Sequence, residues 1–128
     1  MIVLDASAGV EMLLGTARGA AIGAALAGHR AVAPAHFDAE VFRALRRWQR
    51  RRQMTAAEVS HRIGLLTLFA ADRIPLPPLL ARADALGERF SPPDSLYVAT
   101  AHALDAELFT CDAPLATACA GVARVRLF

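Results

Sequence analysis

The sequence predicts an α/β fold in which a short, mainly parallel sheet is flanked by helices. Short apolar runs alternate with longer segments of helical periodicity along all 128 residues. Strands that alternate with helices build parallel sheets with helices packed on both faces. A chain of this length holds one hydrophobic core, and no repeat or low-complexity linker divides it. We therefore predict a single domain over residues 1–128.

The strands are predicted from short stretches bounded by turn residues. Met1–Leu4 is apolar throughout, which is typical of a strand buried on both faces. Four further strands are predicted over Ala31–Ala33, Arg73–Leu76, Glu107–Thr110 and Val122–Leu127.

The helices are predicted from capping residues and periodicity. Ser7 can cap a helix that runs to about Leu14, because its hydroxyl can accept a hydrogen bond from the first turn. Thr55 and Glu58 form a capping-box signature for a helix that ends near Phe69. The other helices are predicted over Ala17–Ala27, His36–Gln53 and Leu79–Arg89, and from Asp94 to about Leu104.

The composition predicts a folded protein of a reducing compartment. Hydrophobic residues make up 55% of the chain and charged residues 20%, which argues against wholesale disorder. No apolar run is long enough to span a membrane, and no signal peptide is expected. Cys111 and Cys119 are too few for a disulfide framework. We expect a cytoplasmic protein with no membrane partner.

Four acidic residues lie where an α/β fold forms its sites. Asp5 and Asp112 follow predicted strands, whereas Glu40 and Asp94 lie near predicted helix starts. Sites in parallel sheets form where the carboxyl ends of the strands open. Two carboxylates about 4 Å apart repel by roughly 4 kcal/mol, so such a cluster takes up protons or cations. Oxygen ligands suit Mg²⁺ or Mn²⁺, which can activate water for attack on a phosphodiester.

Structural roles for the same acids stay open at this point. Asp94 could be a helix N-cap, Asp112 could cap a turn, and Glu40 could be a first-turn residue favoured by the helix dipole. Asp5 is expected to have little structural work to do, because it directly follows a buried strand.

Four segments carry a resemblance to a known family. They resemble the PIN-domain signature and, more closely, VapC-type toxins of bacterial toxin–antitoxin systems. The segments are Ile2–Ser7, Ala39–Leu45, Asp94–Ala99 and Leu108–Asp112. The resemblance implies a three-layer PIN-like fold and a Mg²⁺-dependent endoribonuclease that acts on structured RNA such as tRNA or rRNA. It also implies a type II toxin that forms a homodimer and is inhibited by a cognate VapB-like antitoxin.

The resemblance also implies roles for individual residues. Asp5 and Asp94 would be the principal metal ligands, and Glu40 and Asp112 would complete the acidic pocket. Orientation of carboxylates or metal-bound water would fall to Ser7 and Thr110. Arg43 departs from the family pattern, since many relatives have Asn three residues after the glutamate, and Pro93 stands where relatives often have a small or aromatic residue.

A row of arginines follows Glu40. Their spacing of three and four residues predicts that they share one face of a helix: Arg43, Arg46, Arg47 and Arg50. This face could guide RNA phosphates, receive an acidic antitoxin segment, or simply be solvated. Trp48 is interpreted as a core or dimer contact rather than a base-stacking residue.

Two other function classes compete with a nuclease. The first is a catalytically silent PIN-like module that binds RNA or protein, although such a module has no need to assemble repelling carboxylates. The second is a phosphotransfer domain with Asp5 as its nucleophile. Such enzymes usually have a second Asp two residues later, where this chain has Ser7, and the chain contains no lysine.

Overall fold

A parallel five-stranded sheet forms the centre of the computed structural model, which describes residues 1–128. The order across the sheet is β3-β2-β1-β4-β5, and every neighbouring pair is parallel. The predicted α/β class is therefore confirmed. The strands are β1 (Ile2–Leu4), β2 (Ala31–Pro34), β3 (Asp72–Ile74), β4 (Glu107–Thr110) and β5 (Val125–Leu127).

Seven α-helices connect and cover the strands. They are α1 (Ala6–Leu14), α2 (Ala17–Leu26), α3 (Phe37–Arg50), α4 (Ala56–Thr67), α5 (Leu80–Asp84), α6 (Pro92–Ala103) and α7 (Ala113–Ala118). The chain moves outward from β1 to β3 through α1–α4 and then crosses back to β4 and β5 through α5–α7. Because parallel crossovers are right-handed, the two directions place the two helix groups on opposite faces. This arrangement is the predicted three-layer fold.

The strand order reverses between β1 and β4, which are parallel neighbours in the sheet: the chain adds β2 and β3 on one side of β1, and β4 and β5 on the other. Leu4 pairs with Phe109, and the Asp5 amide donates to the Phe109 carbonyl at 3.0 Å. The loops that follow these two strands diverge toward opposite faces, which opens a crevice at their carboxyl ends. The fold therefore creates a site where Asp5 and Asp112 leave the sheet.

The core is continuous through the sheet. All of β1 is buried, and Phe37, Tyr97 and Phe109 are among the largest fully buried side chains. Gly9 permits the close approach of α1 to α3, because a Cβ at this position would come too close to the Phe37 ring. No helix is both long and apolar enough to cross a membrane.

Two predicted caps are wrong. The N-cap of α1 is Asp5, whose carboxylate accepts from the Ser7 amide, so Ser7 lies inside the helix rather than before it. The N-cap of α6 is Ser91, not Asp94, and the helix begins at Pro92 because proline suits the first turn. The capping box of Thr55 and Glu58 at α4 is confirmed.

Two helical segments differ from the prediction. The segment predicted as one helix over Leu79–Arg89 is broken into α5, which ends at Asp84, and flanking 3-10 helices. Gly87, at a φ of 66°, cannot continue a right-handed helix from α5. The short helix α7 was not predicted, because six residues that include a proline show no clear periodicity. Strand β5 is also shorter than predicted, since it begins only at Val125.

Candidate active site

One cleft collects all four predicted acids. It has a volume of about 440 Å³ and lies at the carboxyl ends of β1 and β4. Asp5 and Asp112 reach it from the ends of these strands, Glu40 from α3 and Asp94 from the first turn of α6. Residues that are far apart in the sequence are therefore brought to one surface by the topology of the sheet.

Asp5 forms the buried floor of this cleft, with 6% of its surface exposed. Its Oδ2 accepts hydrogen bonds from Ser7 Oγ and Thr110 Oγ1, each at 2.5 Å. The two hydroxyls are themselves fixed, since Ser7 Oγ accepts from the Cys111 amide at 2.8 Å and Thr110 Oγ1 accepts from the Asp112 amide at 2.9 Å. The structure thus places Ser7 and Thr110 where they orient the carboxylate.

The environment of Asp5 disfavours its charge. Burial raises the pKa of the Asp5 carboxyl, and hydrogen bonds from Ser7 and Thr110 offset this only in part. The negative charge of Glu40 raises the pKa further. A buried carboxylate that faces another carboxylate is stabilised by a bound cation or a proton. The expectation that Asp5 has little structural role is nevertheless wrong, because its carboxylate also caps the N-terminus of α1.

Glu40 is held by groups that sequence analysis did not single out for this role. Tyr97 Oη donates to Glu40 Oε2 at 2.8 Å, and Arg43 Nη2 lies 3.3 Å from Oε1. Burial and the charges of Glu40 and Asp5 raise the pKa of the Tyr97 phenol, so it remains a proton donor. Arg43, which departs from the family pattern, contacts the acid directly. The signal that could have indicated Tyr97 is its position three residues after Asp94, within the same short block.

His36 packs against the Glu40 carboxylate and the Tyr97 ring. Its Nε2 lies 3.6 Å from Glu40 Oε2, and its ring lies 4.7 Å from the Tyr97 ring, centroid to centroid. Both ring nitrogens are buried without a hydrogen-bond partner. Burial lowers the pKa of His36 more than the neighbouring carboxylates raise it, so the ring is neutral at pH 7. His36 therefore adds bulk beside Glu40 without neutralising it.

Asp94 and Asp112 are fixed by one hydrogen bond to each carboxylate. Asp94 Oδ2 accepts from Ser91 Oγ at 2.7 Å, and Asp112 Oδ1 accepts from the Leu115 amide at 2.9 Å. The capping role considered for Asp112 is thus present in the structure, at the start of α7. The other oxygen of each carboxylate remains available in the cleft.

The donor set fits a hard divalent cation that retains water ligands. No three histidine, cysteine, aspartate or glutamate side chains are grouped so as to enclose a metal ion. Mg²⁺ binds through one or two carboxylates and keeps several waters, so it does not require such a cage. Carboxylates alone, in an open cleft, suit Mg²⁺ or Mn²⁺ better than zinc.

The predicted arginine face is divided by the structure. Arg43 and Arg47 line the cleft beside the acids, whereas Arg46 and Arg50 lie outside it. Arg46 instead donates to Gln49 at 2.7 Å and lies over the Phe42 ring at 5.3 Å. A further cation, Arg18, reaches the cleft from α2 and was not predicted.

Trp48 also lines the cleft and is 38% exposed. Trp48 is therefore not a core residue as one part of its interpretation had it, and the other part, a dimer contact, stays a prediction. Its neighbour Leu45 on α3 is the fully buried residue that anchors this turn of the helix.

Comparison with known proteins supplies the family. A profile of the PIN domain matches residues 2–120, nearly the whole chain. The chain belongs to the PIN-domain family. This PIN domain is 41% identical over 116 residues to ribonuclease VapC12 of Mycobacterium tuberculosis, covering 91% of this chain and 90% of the relative. It is also 41% identical over 118 residues to ribonuclease VapC3 of the same organism, covering 91% and 86%.

A solved structure shows the same fold at lower sequence identity. A chain of a toxin–antitoxin complex from Klebsiella pneumoniae superposes on this PIN domain with a TM-score of 0.68. The match covers 98% of this chain and 96% of the other, at 18% identity. The three-layer architecture is therefore shared over the whole domain.

Proposed function

We propose that this PIN domain is a Mg²⁺-dependent endoribonuclease and the toxin of a type II toxin–antitoxin system. The observation that carries the proposal is the convergence of Asp5, Glu40, Asp94 and Asp112 on one cleft at the point where the strand order reverses. The names of the relatives, which are VapC ribonucleases, support the same activity.

Each acid has a distinct place in the proposed chemistry. Asp5 and Asp94 would be the principal ligands of Mg²⁺ or Mn²⁺, and Glu40 and Asp112 would complete the pocket. When bound, the metal supplies Lewis-acid chemistry that acidifies water and stabilises charge on the leaving oxygen of a phosphodiester. The two hydroxyls against Asp5 hold the carboxylate in one orientation, which favours a fixed reaction geometry.

The reaction would proceed without a covalent protein intermediate. Cys111 lies on the cleft, but burial raises the pKa of its thiol, so it is not an activated thiolate. Arg43 and Arg47 would hold RNA phosphates beside the acids and reduce repulsion between the substrate and the carboxylates.

The family resemblance also supports a proposal for the substrate and the partners. We propose structured RNA, such as tRNA or rRNA, as the substrate and a VapB-like antitoxin as the inhibitor. The matched structure is described as a toxin–antitoxin complex, which supports a partner of that kind. The family resemblance further supports a homodimer.

Cleavage of total cellular RNA by the purified, antitoxin-free protein tests the proposal. We expect discrete fragments with Mg²⁺ or Mn²⁺, none with EDTA, and none from Asp94→Asn. The matched control is Asp84→Asn, an exposed acid outside the cleft, which should cleave like wild type. If folded protein binds RNA but cuts it under no metal condition, the domain is a silent binding module and the nuclease proposal is wrong.

A further inference from the structure

We propose that Trp48 is a stacking subsite for an unpaired base of the RNA substrate, on the wall of the acidic cleft. The inference rests on the proposed ribonuclease function and names a residue that would contact the substrate away from the scissile bond. It assigns a binding role to an exposed aromatic side chain that the catalytic chemistry does not use.

The register of α3 connects the indole to the acidic site. Glu40, Ala44 and Trp48 are spaced by four residues, so they lie on one face of the helix, and all three line the cleft. Eight residues at 1.5 Å each place Trp48 roughly 12 Å along the helix from Glu40. Ala44, which lies between the carboxylate and the indole, has only a methyl side chain, so this face of the helix forms a groove along the wall of the cleft.

The charges beside this groove fit a nucleic-acid backbone. Arg43 and Arg47 line the cleft on the same helix, and Arg18 faces it from α2. Arg18 Nη1 is 3.8 Å from Glu11 Oε1 and its side chain is half exposed, so the guanidinium remains open to a further anion. A distance of about 12 Å corresponds to roughly three to four nucleotide steps of a stacked strand.

An aromatic side chain between cations is a typical surface for single-stranded RNA. Each base offers a flat face to the indole while the phosphates contact the arginines. Arg43 is paired with Glu40, but a purely apolar protein segment over Trp48 would bury Arg47 without a partner, which is unfavourable. The mixture of charge and aromatic surface therefore favours a nucleotide strand as the occupant.

Trp48 is the sole tryptophan, so intrinsic fluorescence reports on this subsite alone. The probes are a twelve-nucleotide oligouridine and a ribose-phosphate oligomer of equal length without bases. Binding is measured on full-length Asp94→Asn with Mg²⁺, which prevents cleavage during titration. We expect oligouridine to quench the Trp48 emission and the abasic oligomer to bind more weakly and leave the emission unchanged.

Matched variants in the same background separate stacking from charge. Trp48→Ala should weaken oligouridine binding, measured by anisotropy, roughly five- to one-hundred-fold, the range of base–aromatic stacking. Trp48→Phe should retain most of the affinity, which excludes misfolding as the cause. The control is Phe42→Ala, which removes an equally exposed ring of α3 outside the cleft and should bind like the parent protein.

Equal affinity for the two probes, or a loss in Trp48→Ala no larger than in Phe42→Ala, would overturn the proposal. Quenching by an acidic peptide but not by oligouridine would also overturn it and assign the indole to a protein partner. These outcomes are independent of catalysis. If oligouridine quenches Trp48 but the intact protein cuts no RNA, the subsite is retained and only the nuclease function fails.

Discussion

The Asp5 carboxylate combines a structural role with the metal-binding role that we propose for it. It caps α1 and accepts hydrogen bonds from two hydroxyls, yet burial and the nearby Glu40 raise its pKa. A group that is both fixed and electrostatically unfavourable is typical of a functional site, because the charge is retained for binding rather than for stability.

Replacement of Asp5 by asparagine should therefore separate stability from activity. Asparagine keeps one of the two acceptor oxygens, so it can accept either the Ser7 amide as an N-cap or the two hydroxyls, while the unfavourable buried charge is removed. We expect the free energy of unfolding, measured in EDTA, to rise by about 0.5–2 kcal/mol, and RNA cleavage, measured with Mg²⁺, to be lost. Chemical denaturation measures the first effect. A variant that is both less stable and fully active would contradict this account of Asp5.

Tyr97 is the second residue whose role can be isolated. Its buried hydroxyl donates to Glu40, so Tyr97→Phe removes the hydrogen bond and keeps the ring. Loss of a partner that orients a ligating carboxylate typically costs about 10- to 100-fold in metal affinity or activity. We expect cleavage by this variant to require more Mg²⁺ for half-maximal rate. An unchanged Mg²⁺ dependence would show that Tyr97 has only a packing role.

Among the elements, α3 and α4 show that local sequence determines where a helix forms, whereas tertiary packing determines which of its side chains face the site. Helix α3 was predicted from its periodicity, but the sequence did not show which arginines would face the acids. That depends on the rotation of α3 against α1, which the contact between Gly9 and the Phe37 ring helps to set. The start of α4 was predictable because a capping box is a purely local interaction.

The capping box should make the stability of α4 depend on pH. Hydrogen bonds from the Thr55 amide and hydroxyl lower the pKa of the Glu58 carboxyl below its ordinary value of 4.5. Because the pKa is lower in the folded state, the charged carboxylate stabilises that state at pH values above the pKa of Glu58 in the unfolded chain. This stabilisation is lost as the pH falls through the pKa of Glu58 in the folded state. Glu58→Gln should therefore be less stable than wild type at pH 7, and this difference should shrink as the pH falls below 4.5.

Thermal denaturation of wild type and Glu58→Gln, from pH 7 down to acidic pH, measures this difference in stability. Thr55→Ala, which removes the cap itself, should cost about 1 kcal/mol at neutral pH. If the stability difference between wild type and Glu58→Gln stays constant down to low pH, the charge of Glu58 does not contribute to the stability of the fold.

For the whole molecule, the sequence was most informative where function depends on topology. The apolar run before Asp5 and the strand before Asp112 predicted a parallel sheet, and parallel geometry brings such residues to one edge. The dual role of Asp5, the buried contacts of His36 and Tyr97, and the exposure of Trp48 were not predictable. Each depends on distances between elements, which no local pattern specifies.

The central claim is that the carboxylates of the cleft together hold a divalent cation. Calorimetric titration of Mn²⁺ into wild type, Asp94→Asn and Asp84→Asn tests it most directly. We expect saturable binding to wild type and to Asp84→Asn, and strongly weakened binding to Asp94→Asn. No saturable binding to the folded wild type, or equal binding to all three proteins, would contradict it.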